Sequence, residues 1–225
     1  MKPMTDKHLA ILRRHMVELI GIHTDVLEEE LGQSIIDDRV LTAMLKIPRH
    51  LFVPEPIAQF AYDDRPLPIG FDKTISQPFM CALMTDLLAL APEDVVLEVG
   101  TGLGYQSAIL AELAARVWSV EIVEELAESA RLRLDALGYS NVEIRVGDGS
   151  RGWPEHAPYD KVIVAAGHEH VPPALLEQLR PEGRLVMPLG PPTAQHLSLV
   201  TKDAAGTVHT RETIPVRFTQ LETVI

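Results

Sequence analysis

Long apolar runs are missing from this chain. No uncharged stretch among its 225 residues is long and apolar enough to span a bilayer, which argues against a membrane-spanning protein. Cysteine is nearly missing too. Cys81 stands alone, so no intramolecular disulfide can form; between Met80 and Ala82 it reads as a small core residue. Basic residues are outnumbered, with Lys plus Arg at 20 against Asp plus Glu at 32 and a formal charge of −12. That balance repels phosphate backbones and argues against a nucleic-acid partner. Residues 1–16, broken by Asp6, Lys7, Arg13 and Arg14, lack the apolar core of a signal peptide. The cytoplasm is the expected compartment and a monomer the expected state.

What is present is ordinary globular material. Hydrophobic residues make up 46% and charged residues 23%, enough to build a core without staples. Three regions are expected: an N-terminal helical segment and Pro-rich connector over 1–75, an α/β core over 76–190, and C-terminal strands over 191–225. Leu9, Leu12, Met16, Leu19 and Ile20 recur at helical spacing, and Asp37-Asp38 suits the start of a second helix ending near Pro48. The passage through Pro48, Pro54, Pro56, Pro66, Pro68 and Gly70 reads as irregular backbone, a lid or connector rather than a strand. Beyond Ser76, short apolar runs at 95–99, 117–121, 142–146, 161–165 and 184–188 alternate with helical segments near 78–90, 105–114, 123–137 and 173–179. This alternation predicts a mostly parallel, doubly wound sheet with helices on both faces. The tail adds strands near 196–201 and 213–218.

The chemistry gathers where strands hand over to helices, because ligands of such sheets bind beyond the strand carboxyl ends. Glu98-Val-Gly100-Thr101-Gly102-Leu-Gly104-Tyr105 is a glycine turn that lets a ligand approach the backbone. A dinucleotide fingerprint would need glycine or alanine at position 105, and Tyr105 stands there instead. The spacing resembles the Glu-x-Gly-x-Gly-x-Gly turn of class I methyltransferases, whose cofactor has no pyrophosphate to seat. Glu98 closes an apolar strand, where a carboxylate is costly unless compensated; a cationic ligand, loop N–H groups, or both would serve, and the residue can also brace the turn. Glu121 lies 21 residues beyond Gly100, where such folds grip a ribose diol, or where it favours the dipole of the next helix. Asp148, between Gly147 and Gly149, offers an acceptor to an adenine amino group, or is an ordinary Asp-Gly turn.

Taken together, the motifs resemble those of protein-L-isoaspartate methyltransferases. Arg49-His-Leu-Phe-Val-Pro54, Ala61-Tyr62-Asp63, Leu67-Pro-Ile-Gly70, Thr74-Ile-Ser-Gln-Pro78, Leu97-Glu-Val-Gly-Thr-Gly, Val146-Gly-Asp-Gly149 and Gly152-Trp153 occur in that family's order. Pro172–Leu179 and Gly183–Val186 continue it, and Leu67–Pro78 is the discriminating stretch. The resemblance implies a seven-stranded Rossmann-like methyltransferase sheet with S-adenosylmethionine as cofactor and S-adenosylhomocysteine as product. It implies methyl transfer to the free α-carboxylate of L-isoaspartyl residues in proteins and peptides, the ester then cyclising to a succinimide. Ser76 falls on the family's active-site serine and Thr74 borders its cofactor. Gly100, Gly102, Glu121, Asp148 and Gly149 match its cofactor contacts, and Ser76, Glu98, Thr101, Gly104 and Tyr105 complete the candidate set. The chain departs from the family in a longer 21–34 segment, in Phe71-Asp-Lys73 where a glycine-containing pattern is commoner, and in Phe218-Thr-Gln-Leu221 where Phe-Val-Pro-Leu is typical.

A peptide α-carboxyl has a reference pKa of roughly 3.3–3.7, so the implied acceptor is already an anion near neutrality. It needs holding rather than deprotonating, and no Gly-x-Ser-x-Gly elbow occurs. Ser76, just before Pro78, suits that holding role and also suits a helix cap. Two further signals are set aside. His168-Glu-His170 has no third ligand at metal spacing, and Glu28-Glu-Glu30 reads as a solvated helix face. Tyr105 and Trp153 suit either ligand stacking or core packing. A methyltransferase acting on small molecules would share Glu98 to Asp148, as would a non-catalytic cofactor-binding protein.

Overall fold

The computed structural model describes residues 5–32 and 35–223. Residues 1–4, 33–34 and 224–225, which include the ends of the N-terminal and C-terminal regions and part of the 21–34 segment, lie outside the described residues. The chain opens with α1 (Asp6–Val26), capped by the Thr5 hydroxyl accepting the His8 N–H, and buries Leu9, Met16 and Ile20. A short α2 (Glu28–Leu31) carries the exposed glutamates. Next comes α3 (Asp38–Lys46), whose first turn is held by the Asp37 carboxylate.

The Pro-rich connector departs from expectation. Instead of irregular backbone throughout, it forms a hairpin of β1 (Leu67–Gly70) and β2 (Lys73–Ile75), paired antiparallel. Leu67, Ile69 and Ile75 face the core while Pro68 and Gly70 face out. Prolines at 66 and 68 obscure this alternation in the sequence. They are tolerated because an edge ribbon can leave a donor out of its ladder.

The main sheet follows as β3 (Val95–Val99), β4 (Arg116–Glu121), β5 (Val142–Val146), β6 (Tyr159–Val164), β7 (Leu179–Leu189), β8 (Gln195–Lys202) and β9 (Val208–Val216). Its order is β5-β4-β3-β6-β7-β8-β9, parallel through β7 and antiparallel at the last two strands. Alternate residues feed two cores. Val96, Ile163 and Val186 join the larger core, and Leu97, Val162 and Leu185 the smaller. The larger core is covered by α4 (Pro78–Leu88), α5 (Tyr105–Leu113) and α6 (Glu124–Ala136), with α1 and α3 packed outside α4. On the opposite face lies α7 (Pro173–Gln178) with Trp153. Helix α4 is apolar almost all round because it is sandwiched between the sheet and the N-terminal helices. Among the described residues no helix is long and apolar enough to cross a membrane.

Candidate active site

Strand β3 sends the chain to β4 on one side, while β6 adds on the other. This reversal opens a crevice at the carboxyl ends of the three strands. A cavity lies there, walled by Gly100, Thr101 and Gly102 after β3, Glu121 at the end of β4, Gly149 after β5 and Ala165 after β6. Thr74 in β2, Ser76 just after it, and residues 219–222 of the tail close it.

The glycine turn is left-handed at alternate positions, with φ of +94° at Gly100, +54° at Gly102 and +92° at Gly104, a conformation other residues adopt only under strain. Gly102 donates its N–H to Glu121 Oε2 at 2.7 Å, which ties the turn to β4. Gly104 does not reach the cavity. It begins α5, and a Cβ there would stand 3.2 Å from Leu134 on α6, so its glycine serves the packing of α5 against α6. Tyr105 does border the cavity, but its ring is buried against Phe52 and beneath the Arg49 guanidinium.

Glu98 lies behind the turn, not on the cavity wall. One carboxylate oxygen accepts the hydroxyls of Ser107 and Ser119, the latter at 2.6 Å, and Ser119 also meets the Thr101 hydroxyl. The other oxygen, Oε1, is buried with no hydrogen-bond partner among the described residues. Burial pushes its pKa from 4.5 up to about 7, against the two serine hydroxyls, which favour the ionised form. Of its two expected roles, the one visible in these contacts is bracing.

Glu121 sits on the wall, 5% exposed, accepting from the N–H groups of Gly102 and Val123 with one oxygen each. A carboxylate offers about four lone-pair sites, so acceptor capacity remains. Asp148 is not among the residues that wall the cavity. Its carboxylate accepts the Ser150 N–H and hydroxyl at 2.9 and 2.6 Å and lies 3.6 Å from Arg151 Nε, a turn brace beside the site. Its neighbour Gly149 forms the wall instead. A Cβ there would fall 2.2 Å from Val99 Cγ1, so only bare backbone fits.

Ser76 stands half-buried where this cavity meets a second, larger groove. The two share Thr74, Ser76, Ala165, Thr219 and Gln220; the groove continues past His23, Phe79 and Arg217. Ser76 does not cap α4. Gln77 occupies that position with no side-chain capping bond, and Pro78 as the first helical residue needs no donor there. Its hydroxyl is therefore not consumed by the helix.

Several wall residues escaped the sequence reading. Lys73 and Glu222 form an ion pair across the cavity mouth, and the tail is held by Gly167, which donates to Thr219 and accepts from Leu221 at 2.8 Å each. Buried Gln195 anchors the same tail through both main-chain polar groups of Phe218. Only the unusual Phe218-Thr-Gln-Leu221 hinted at this. Cys81 is buried, as expected of a core residue, and burial pushes its thiol up to about 11, though it also borders the cavity. Trp153 packs edge-on against Trp118 in the smaller core, away from the cavity. His168 turns back to the His170 carbonyl.

Comparison with known proteins agrees with this architecture. The family model described as protein-L-isoaspartate(D-aspartate) O-methyltransferase matches residues 23–224. A protein-L-isoaspartate O-methyltransferase 1 of Polaromonas sp. is 54% identical over 97% of this chain and 93% of its own length. One from Syntrophobacter fumaroxidans is 50% identical over 93% of this chain and 85% of its own. Among solved structures, a protein-L-isoaspartate O-methyltransferase superposes with a TM-score of 0.78 at 28% identity, covering 92% of this chain; the chain spans 65% of that protein. A Plasmodium falciparum protein solved with S-adenosyl-L-homocysteine shares the fold, with a TM-score of 0.74 at 24% identity over 90% of this chain and 99% of that one. The chain is a member of the protein-L-isoaspartate(D-aspartate) O-methyltransferase family.

Proposed function

We propose that this chain transfers a methyl group from S-adenosylmethionine to the free α-carboxylate of L-isoaspartyl residues in damaged proteins and peptides, initiating repair through a succinimide. The observation that carries the reading is the meeting of two cavities at Ser76: one suited to a cofactor, the other open to a polypeptide. Family membership supplies the reaction class.

The residues suit the cofactor. Glu121 retains acceptor capacity for a ribose diol, and Gly100, Thr101, Gly102, Tyr105 and Gly149 give walls without bulky projections toward the cavity centre. Glu98, Gly104 and Asp148 support that wall from behind. When bound, S-adenosylmethionine supplies an electrophilic methyl whose carbon–sulfur bond breaks, the electron pair staying on sulfur, as a carboxylate oxygen bonds the carbon. The chain's own work is positional. Ser76 donates a hydroxyl hydrogen to the acceptor carboxylate, which is ionised without any base; Thr74 flanks it. Ile69, Val99 and Leu221 line the cavity and exclude water, which strengthens the remaining polar contacts.

In this division residues 1–75 supply the hairpin and one side of the groove, 76–190 the cofactor cavity, and 191–225 the strands and tail that complete both. The formal charge of −12 supports a protein substrate over nucleic acid, and the reading is of a cytoplasmic monomer. Labelled S-adenosylmethionine offered with paired peptides that differ only in aspartyl versus isoaspartyl linkage tests the assignment. Label is expected in the isoaspartyl peptide alone; label in neither overturns it. Ser76→Ala is expected to cost about tenfold to a hundredfold in kcat, the scale of losing one hydrogen bond to a charged group. Unchanged turnover would remove the role given to Ser76.

A further inference from the structure

Arg49 lies in the single turn Arg49–Phe52 and is fully buried, at 0% exposure. A guanidinium stays protonated in a protein, so a whole positive charge sits in the interior, where it is costly unless compensated. Among the described residues no carboxylate pairs with it. Instead Nε donates to the Ala61 carbonyl at 2.8 Å and Nη2 to the Ser76 carbonyl at 2.6 Å, while Nη1 has no hydrogen-bond partner. Its guanidinium carbon lies 4.6 Å from the ring centroid of Tyr105, which borders the cavity.

Asp64 grips the same segment one residue further on. Its carboxylate accepts the Gln77 side-chain amide and the Phe79 N–H at 2.9 Å each. The chain leaving Ser76 is thus held twice, its carbonyl by a buried cation and the residues just after it by a largely buried anion. The bond to Ser76 is an additional, directed contact to the residue at the junction of the two cavities.

We propose that Arg49, opposed by Asp64, is a positioning residue for methyl transfer. By fixing the Ser76 carbonyl it sets the direction of the Ser76 hydroxyl. Its charge, which no carboxylate pairs directly among the described residues, lies just behind that residue and favours an anionic acceptor there. The inference rests on the reading that Ser76 orients the acceptor carboxylate.

A double-mutant cycle tests it, using Arg49→Lys, Ser76→Ala and the double variant on an isoaspartyl peptide, with S-adenosylhomocysteine affinity measured alongside. Lysine keeps the charge but loses the planar fork that reaches two carbonyls. Arg49→Lys should lower kcat about tenfold, leave S-adenosylhomocysteine affinity within about twofold, and cost far less once Ser76 is already alanine, because both changes act through one group. A parental kcat, or equal fold-losses in both backgrounds, overturns the proposal. If Arg49→Lys fails to bind S-adenosylhomocysteine, Asp64→Asn takes its place in the cycle. A several-fold lower kcat that is non-additive with Ser76→Ala is then expected, and additivity overturns the clamp. Parental activity in Ser76→Ala alone sinks the Ser76 reading and this inference together, whereas failure of the Arg49 and Asp64 variants alone leaves the proposed reaction standing.

Discussion

Glu98 puts an ionisable carboxyl where water cannot reach it, so the stability of the protein should carry its titration. Burial raises its pKa to about 7, with nearby Glu121 adding a smaller push in the same direction and the Ser107 and Ser119 hydroxyls opposing both. In the unfolded chain a glutamate titrates near 4.3. Below that value it is protonated in both states. As pH rises from about 4.3 to about 7, the unfolded chain ionises while the folded protein keeps its proton, so the fold loses about 1.4 kcal/mol per pH unit, roughly 4 kcal/mol in all. Above the folded pKa both states are ionised and the loss is complete. Glu98→Gln removes this titration while retaining a carbonyl oxygen for the two serine hydroxyls. Urea denaturation of parent and variant at intervals from about pH 5 to about pH 8 gives a stability difference in which other titrating groups cancel. Because the unfolded carboxyl is already largely ionised at about pH 5, the parent should lose about 2–3 kcal/mol of that total relative to the variant across the range. A difference that stays flat with pH would refute the reasoning, because it would mean that Glu98 is ionised in the folded protein throughout.

Other outcomes follow from the cavity wall. Glu121→Ala removes the free acceptor sites and the brace on Gly102, so calorimetry should record about tenfold weaker S-adenosylhomocysteine binding; an unaltered dissociation constant would count against the ribose role. Gly149→Ala forces a Cβ to within 2.2 Å of Val99, and thermal unfolding should show a loss of about 1–3 kcal/mol. A parental Tm would mean that the wall yields. Lys73→Ala breaks the ion pair with Glu222, whose side chain is 57% exposed, so stability should change by less than about 1 kcal/mol. Because the pair spans the cavity mouth, stopped-flow should still show faster release of S-adenosylhomocysteine; an unchanged off-rate would mean that the pair does not retain it.

The alternation of apolar runs with amphipathic stretches made the parallel sheet and its helices legible, since buried strands and one-sided helices leave different periods in a sequence. The hairpin at Leu67–Ile75 was not legible. Its turn places Phe71 and Asp72 at φ of +54° and +55° with no glycine at either position, and its prolines mask the inward Leu67, Ile69 and Ile75. The glycine turn was legible as a ligand-approach feature, but the assignment of each member was not. Gly102 and Gly149 border the cavity, whereas Gly104 serves helix packing and Asp148 serves its own turn.

By itself, then, the amino-acid order determined the strand–helix alternation, the glycine spacing and the position of Glu121 at a strand end, because these depend on neighbours a few residues apart. Only the tertiary structure decided which of those side chains face the cavity. It also decided that Thr219–Glu222 close over glycines more than a hundred residues earlier and that Arg49 reaches Ser76. Contacts of that kind are set by the packing of distant segments around a shared core, and no local pattern of residues encodes the direction in which a buried side chain will point.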